Sequence, residues 1–184
     1  MAYLMGIDRG STNVKAAIYD LRGQEICAAS TPAEIPSKPH EGWAEQDMCR
    51  IWDNTVRSIR AVLQKSGLDP AQIRAVGFSG HGGGLYAVRA DGSPARAGIL
   101  SLDSRTRLED LACHHRGEAA ESVSKVDPAR LLQWLKRNEP EVFAETHAVM
   151  AAKDYLRFRM TGELAVSLSD FGMSVLVDPA TQQY

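Results

Sequence analysis

Apolar residues along the chain follow two rhythms, and the change between them divides the sequence. Strand-length runs come first. Tyr3 to Asp8, Val14 to Tyr19 and Glu25 to Thr31 are separated by Arg9-Gly10-Ser11-Thr12 and by Asp20-Leu21-Arg22-Gly23. Turn-forming residues between such runs predict two hairpins, hence a three-stranded meander. Pro32 to Glu45 holds three prolines and Gly42, which predicts an irregular connection. From Met48 the spacing lengthens: Met48, Ile51, Trp52, Val56, Ile59, Val62 and Leu63 mark one face of a helix. Asp47 is its expected N-cap, Gly67 its stop, and Pro70 blocks any continuation.

Ile73 to Phe78 is almost unbroken in apolar residues, the pattern of a strand covered on both faces. Leu85 to Val88 and Ala97 to Leu102 predict two more strands on either side of an Asp91-Gly92 turn. Beyond Asp103 the helical rhythm returns, with helices expected over Arg105–His115, Pro128–Asn138 and Lys153–Met160. Glu139-Pro140-Glu141 reads as a helix restart, Thr161-Gly162 as a helix end, and Leu164 to Asp178 as one or two short strands. Strands, a helix, more strands and then helices predict an α/β fold with a mixed sheet.

Composition narrows the partners. The chain has 184 residues, about one domain's length, with 44% hydrophobic residues, enough for a core. Its 21 basic and 23 acidic residues leave a net charge of -2, so no single-sign field draws it to nucleic acid or to a membrane surface. Cys27, Cys49 and Cys113 are widely spaced and form no CxxC pair, which fits reduced thiols in the cytoplasm. The apolar opening is cut short by Asp8 and Arg9, and no later run approaches the ~20 residues of a membrane span.

Three strand ends concentrate the chemistry. In Gly6-Ile7-Asp8-Arg9-Gly10-Ser11-Thr12-Asn13-Val14-Lys15, a strand delivers Asp8 to a tight turn. Gly10 allows close backbone approach to a phosphate, Ser11 and Thr12 can donate hydrogen bonds, and Lys15 adds positive charge. Asp8 could hold a hydrated magnesium ion bridging to that phosphate. The same residue types also serve an ordinary hairpin turn. The loop leads into a strand rather than a helix, so it is not a Walker loop. After the Ile73–Phe78 run come Ser79-Gly80-His81-Gly82-Gly83-Gly84, whose glycines suit a close approach by ligand or chain, with His81 either a hydroxyl contact or structural. Asp103 and Arg105 end the third strand; they could bind hydroxyls together, or Asp103 could cap the helix after it. No G-x-S-x-G elbow is present, so covalent hydrolysis has no support.

Taken in order, these loops resemble the N-terminal half of the FGGY carbohydrate kinases along essentially the whole chain. Gly6–Lys15 is similar to the family's first phosphate motif, and Gly42-Trp43-Ala44-Glu45-Gln46-Asp47 followed by Trp52 to its Gly-Trp-x-Glu-Gln-Asp segment. Val76-Gly77-Phe78-Ser79-Gly80 resembles the strand before its sugar loop, and Ile99–Thr106 its Trp-x-Asp-x-Arg segment. Lys153-Asp154-Tyr155-Leu156 with Met160-Thr161-Gly162-Glu163 resembles a fifth motif. Leu131–Pro140 and Asp154–Phe158 look most like the L-xylulose kinase and xylulokinase branch.

The resemblance implies an actin-like, ribonuclease-H-like domain with its mixed sheet flanked by helices, using ATP and Mg2+ to phosphorylate a sugar or polyol such as a ketopentose. It implies nucleotide contacts at Asp8, Gly10, Ser11, Thr12 and Lys15, metal contact at Asp8, and sugar contacts at His81, Gly82, Asp103 and Arg105. Relatives often carry an imidazole where this chain has Gly83 and an aromatic where it has Ser101, which leaves the sugar open. The resemblance also implies a second domain and a catalytic Asp downstream of Tyr184. Residues 1–184 are then expected to be an incomplete kinase domain, inactive alone, with an exposed apolar docking face that favours a homodimer. The alternative is a non-catalytic sugar-sensing or protein-interaction module with the same fold.

Overall fold

The computed structural model describes residues 1–106, 127–167 and 170. Alternation builds the first layer. In β1 (Tyr3–Arg9), Met5, Ile7 and Arg9 are buried, while Leu4 and Asp8 on the other face are exposed. Strand β2 (Asn13–Asp20) buries Val14, Ala16 and Ile18 on the same side, and β3 (Glu25–Pro32) adds Cys27. The meander is antiparallel, pairing Ile7 with Ala16 and Ala17 with Ala28.

Strand β4 (Glu45–Gln46) leads into α1 (Met48–Ser66), which covers the buried side of this sheet. Asp47 accepts from the N–H groups of Cys49 and Arg50 at 2.8 and 3.3 Å. Gly67 ends the helix at φ 64°, donating to Leu63 O at 3.1 Å. Met48, Ile51 and Val62 pack on Met5, Val14 and Ile18. Ser58, fully buried on the helix, donates to Val14 O at 2.9 Å and so ties α1 to β2 by a polar bond inside an apolar contact.

After a short 3-10 turn at Pro70–Gln72, strand β5 (Ile73–Gly80) runs parallel to β1 and completes the order β3-β2-β1-β5. The mixed sheet is thus present. Double-sided burial of β5 is not. Val76 and Phe78 are half-buried against the core, but Ala75, Gly77 and Ser79 are exposed, and among the described residues β5 is an edge strand. An apolar run fixes how many residues can be buried, not how many neighbours there are to bury them.

The second layer is smaller. Strand β6 (Tyr86–Val88) pairs with β8 (Ala148–Met150), and β7 (Gly98–Ile99) pairs with β4. The strand expected over Ala97–Leu102 is therefore only two residues long. Helices α2 (Pro128–Asn138) and α3 (Pro140–Glu145) pack together, and Leu131, Trp134 and Leu135 close a second core with Leu85, Ala87 and Ile99. Helix α4 (Ala152–Thr161) returns to the first core through Tyr155 and Leu156 and ends at Gly162. Most of the Arg105–His115 helix and most of the Leu164–Asp178 segment lie outside the described residues. No described helix is long and apolar enough to cross a membrane.

Removing the α1 cap by Asp47→Ala should cost about 1 kcal/mol and lower Tm by ~3 °C in a thermal melt, with far-UV circular dichroism unchanged at 25 °C.

Candidate functional site

Parallel pairing of β1 with β5 brings two of the three sequence-predicted loops side by side. Asp8 lies opposite Ser79 and Arg9 opposite Gly80. The His81 N–H continues the ladder by donating to Arg9 O at 3.1 Å. Asp8 and Arg9 are consecutive residues of a strand, so their side chains leave opposite faces of the sheet.

On the Asp8 face is a groove of about 340 Å³, lined by Gly6, Asp8, Lys15, Tyr19, Gly77 and Ser79 among others. Two glycines facing each other across β1 and β5 keep its floor low. At its end the Gly10 N–H donates to Asn13 O at 3.0 Å, closing a tight turn whose Ser11 is half-buried and Thr12 exposed. A β-carbon at Gly10 would sit 3.2 Å from Asn13 O, so the turn is close-packed. Lys15 stands across from Asp8 in register, but its ammonium pairs with Glu25 at 3.3 Å, both side chains half-exposed. The charge expected to face a phosphate is therefore shared with a surface carboxylate, an interaction weak enough to give way.

This donor set suits magnesium bound to a phosphate. No described cluster of three or more His, Cys, Asp or Glu residues could cage a metal. A single exposed carboxylate beside hydroxyls is the arrangement magnesium uses when phosphates and water supply its other ligands.

On the Arg9 face the strand ends close over a group of polar side chains. Arg9 is buried and donates to Gly10 O and to Gln46 Oε1, while its Nε has no acceptor. His81 Nε2 lies 3.2 Å from the hydroxyl of Tyr86, and His81 Nδ1 has no partner. Burial, reinforced by the Arg9 charge, lowers the His81 pKa, so the imidazole is neutral at pH 7. Burial also raises the Tyr86 pKa, against the pull of Arg9, and keeps that phenol protonated. Lys153 and Asp170 form an ion pair beside Gly80 and Gly82. A β-carbon at Gly80 would lie 3.6 Å from Lys153 Cβ, and one at Gly82 would lie 3.7 Å from Asp170 Oδ1. Gly84 is tighter still: at φ 84° its β-carbon would meet Ile99 O at 2.4 Å, so this glycine serves chain packing against β7.

The third predicted loop does not reach an open mouth. Asp103 and Arg105 are buried with fully enclosed side chains. Asp103 accepts from Ala44 N at 2.7 Å and from Arg105 N at 2.9 Å, and pairs with the Arg105 guanidinium. Arg105 also donates to Glu45 at 2.6 Å, and Glu45 pairs in turn with Arg96. Its guanidinium lies 4.0 Å from the Trp43 ring centroid and 4.6 Å from that of Trp134. Burial pulls the Arg105 pKa down, but the bonds to Asp103 and Glu45 outweigh it and hold the guanidinium charged. Asp103 makes the local backbone bond expected of a cap, yet the pair as a whole joins β4 to the second core. Both side chains are enclosed, and of the Arg105 guanidinium only Nη1 lacks an acceptor.

Sequence reasoning missed Arg9, Tyr86 and Asp170 as neighbours of His81, and Gln46 and Lys153 as the partners of Arg9 and Asp170. Arg9 carried a signal: a charged residue at a strand position that alternation assigns to the buried face. Asp170 carried none, because its partner Lys153 is brought to it only by folding.

The described pattern of the FGGY family of carbohydrate kinases, N-terminal domain, matches residues 3–184. The chain belongs to this family. Among FGGY relatives, the L-xylulose/3-keto-L-gulonate kinase of Escherichia coli is 33% identical over 99% of this chain and 38% of its own length. The xylulose kinase of the same organism is 33% identical over 98% of this chain and 38% of its length. The crystal structure of a xyloylose kinase from Brucella ovis superposes with a TM-score of 0.87 at 28% identity, covering 99% of this chain and 39% of that one. The fold is the actin-like ATPase fold of FGGY sugar kinases. The chain spans under two-fifths of the length of each of these relatives.

Two outcomes follow from this geometry. Asp103→Ala leaves the buried Arg105 with Glu45 alone and should cost about 3 kcal/mol, whereas Asp103→Ala with Arg105→Met should recover part of that loss in a denaturant titration. His81 binds its proton more readily unfolded than folded, so acidification below its ordinary value of 6.5 favours unfolding. Stability should therefore be full above that pH and fall below it. Melts of His81→Gln across pH 5 to 8 should show a flatter profile than the parent chain.

Proposed function

We propose that this chain carries the phosphate hairpin and an acceptor-binding loop of an ATP-dependent carbohydrate kinase that phosphorylates a sugar or polyol hydroxyl. The observation that carries this reading is the β1–β5 register, which sets the Asp8–Thr12 turn beside His81. Backbone N–H groups around Gly10 and the hydroxyls of Ser11 and Thr12 hold the phosphates, and Asp8 orients magnesium-bound water. ATP with magnesium supplies the transferable phosphoryl group and neutralises its charge. His81, neutral and with Nδ1 unpartnered, accepts or donates a hydrogen bond to an acceptor hydroxyl, and Gly82 lets that hydroxyl approach the backbone.

The names of the two Escherichia coli relatives support a ketopentose such as xylulose, and one of them also names a keto acid. In this reading the enclosed Asp103 and Arg105 act through the ion network with Glu45, holding the loops in place rather than touching the sugar. Among the described residues near His81, none is free to take the acceptor proton: Asp8 leaves the other face of the sheet, Asp170 is paired with Lys153, and His81 Nε2 is engaged by Tyr86, which supports a base contributed from elsewhere. A base must reach the hydroxyl it deprotonates.

Calorimetry with Mg-ATP and a coupled ADP assay test the proposal together. The chain should bind Mg-ATP, Asp8→Asn should weaken that binding about tenfold while leaving magnesium-free ATP binding nearly unchanged, and ADP release with xylulose should be absent. Equal Mg-ATP affinity in Asp8→Asn would remove Asp8 from the metal site. Sugar-dependent ADP release would place the base within the chain.

A further inference from the structure

The Lys15 side chain is turned away from the Gly10–Thr12 turn. In the β1–β2 register Lys15 stands level with Asp8, a direct cross-strand neighbour of opposite charge. Among the described residues those two make no ion pair. The Lys15 ammonium meets Glu25 Oε2 instead, at 3.3 Å. Glu25 pairs in register with Tyr19, four residues or roughly 13 Å further along β2 and away from Gly10. Lysine is long enough to lie along the strand toward it, and that is the direction it takes.

This contact belongs to the groove on the Asp8 face. Lys15, Ala17 and Tyr19 alternate along β2 onto one side of the sheet, and all three line that groove. Ala17 is small enough to leave the lysine stem a path over it. The Tyr19 hydroxyl makes a long contact with the same Glu25 Oε2, at 3.5 Å. One carboxylate oxygen thus occupies two groove-lining donors, an ammonium and a phenol, that would suit an anionic ligand. Of the described ion pairs, this is the one whose cation lines the groove. Its strength is set by exposure. The two side chains are 50% and 45% exposed, and a pair so open to water is worth a few-fold in affinity, enough to tune a site and too little to close it.

We infer that Glu25 is a latch on the phosphate groove, holding Lys15 away from the Asp8–Thr12 turn until a polyphosphate draws the ammonium off it. This rests on the reading of that groove as the phosphate site, and it assigns control of the site's affinity to a residue on β3, outside the turn itself. Once released, the ammonium returns to the level of Asp8, where the register of β1 and β2 places its stem. Calorimetric titrations with Mg-ATP and, separately, with inorganic tripolyphosphate compare the parent chain with Glu25→Gln, Lys15→Gln and the double variant. Glu25→Gln should bind both probes about threefold more tightly than the parent chain. Made in the Lys15→Gln background, the same change should leave affinity where it was, because there is no ammonium to release.

Equal or weaker binding by Glu25→Gln, with the parent chain binding Mg-ATP, overturns the inference and leaves the groove reading standing. A gain that persists without Lys15 also overturns it, since plain repulsion between Glu25 and the phosphates would then account for the effect. If the parent chain binds neither Mg-ATP nor tripolyphosphate, the groove reading fails and the inference fails with it.

Discussion

The parallel ladder between β1 and β5 is the contact on which the site depends. Parallel neighbours need a crossover, so the chain must pass through β2, β3 and the long helix α1 before β5 can lie against β1. Every element of the first layer therefore contributes to one result, which is that two strands seventy residues apart end at the same level. The ladder is made with almost no side-chain help at its centre, where Gly6 meets Gly77. Its stability comes from the covered face, where Ile7 and Phe78 pack with α4 and Tyr155.

A second constraint holds the end of β1 through Arg9. Glu45 and Gln46 are neighbours on β4 with different tasks. Glu45 is fastened to Arg96 and Arg105, themselves packed against Trp134, while Gln46 accepts from Arg9. The ion network and the Arg9 guanidinium are thus linked through a single peptide unit. Buried charge pairs add little net stability compared with apolar packing, but they tolerate few alternative arrangements. Here that restriction falls on the two-stranded β4–β7 sheet, which would otherwise have little to define it.

Much of the first layer was legible in the chain. The Asp47 cap, the Gly67 stop and the strand-length runs and turns of β1 to β3 are local signals, and the local structure follows them. β5 shows where local signals end: Ile73, Ala75, Val76 and Phe78 read as apolar whichever faces are covered. Asp103 and Arg105 show the same limit for the site. As letters they suit a sugar-binding mouth equally well, and only partners some sixty positions away, Ala44 N and Glu45, enclose them. The family motifs drew attention to these loops, while the surroundings of each side chain depend on which way its strand turns it.

That last point has a consequence for the opening strand. Asp8 and Arg9 are separated by one peptide bond and by the thickness of the sheet. Inserting or deleting a single residue upstream in β1 would exchange them, presenting the cation to the open groove and forcing the carboxylate inside against Tyr86. Both faces would be spoiled by one event, because the strand encodes opposite electrostatic surfaces in adjacent letters. Such a strand can drift in composition but not in length, and its seven residues act as a fixed spacer between two chemistries.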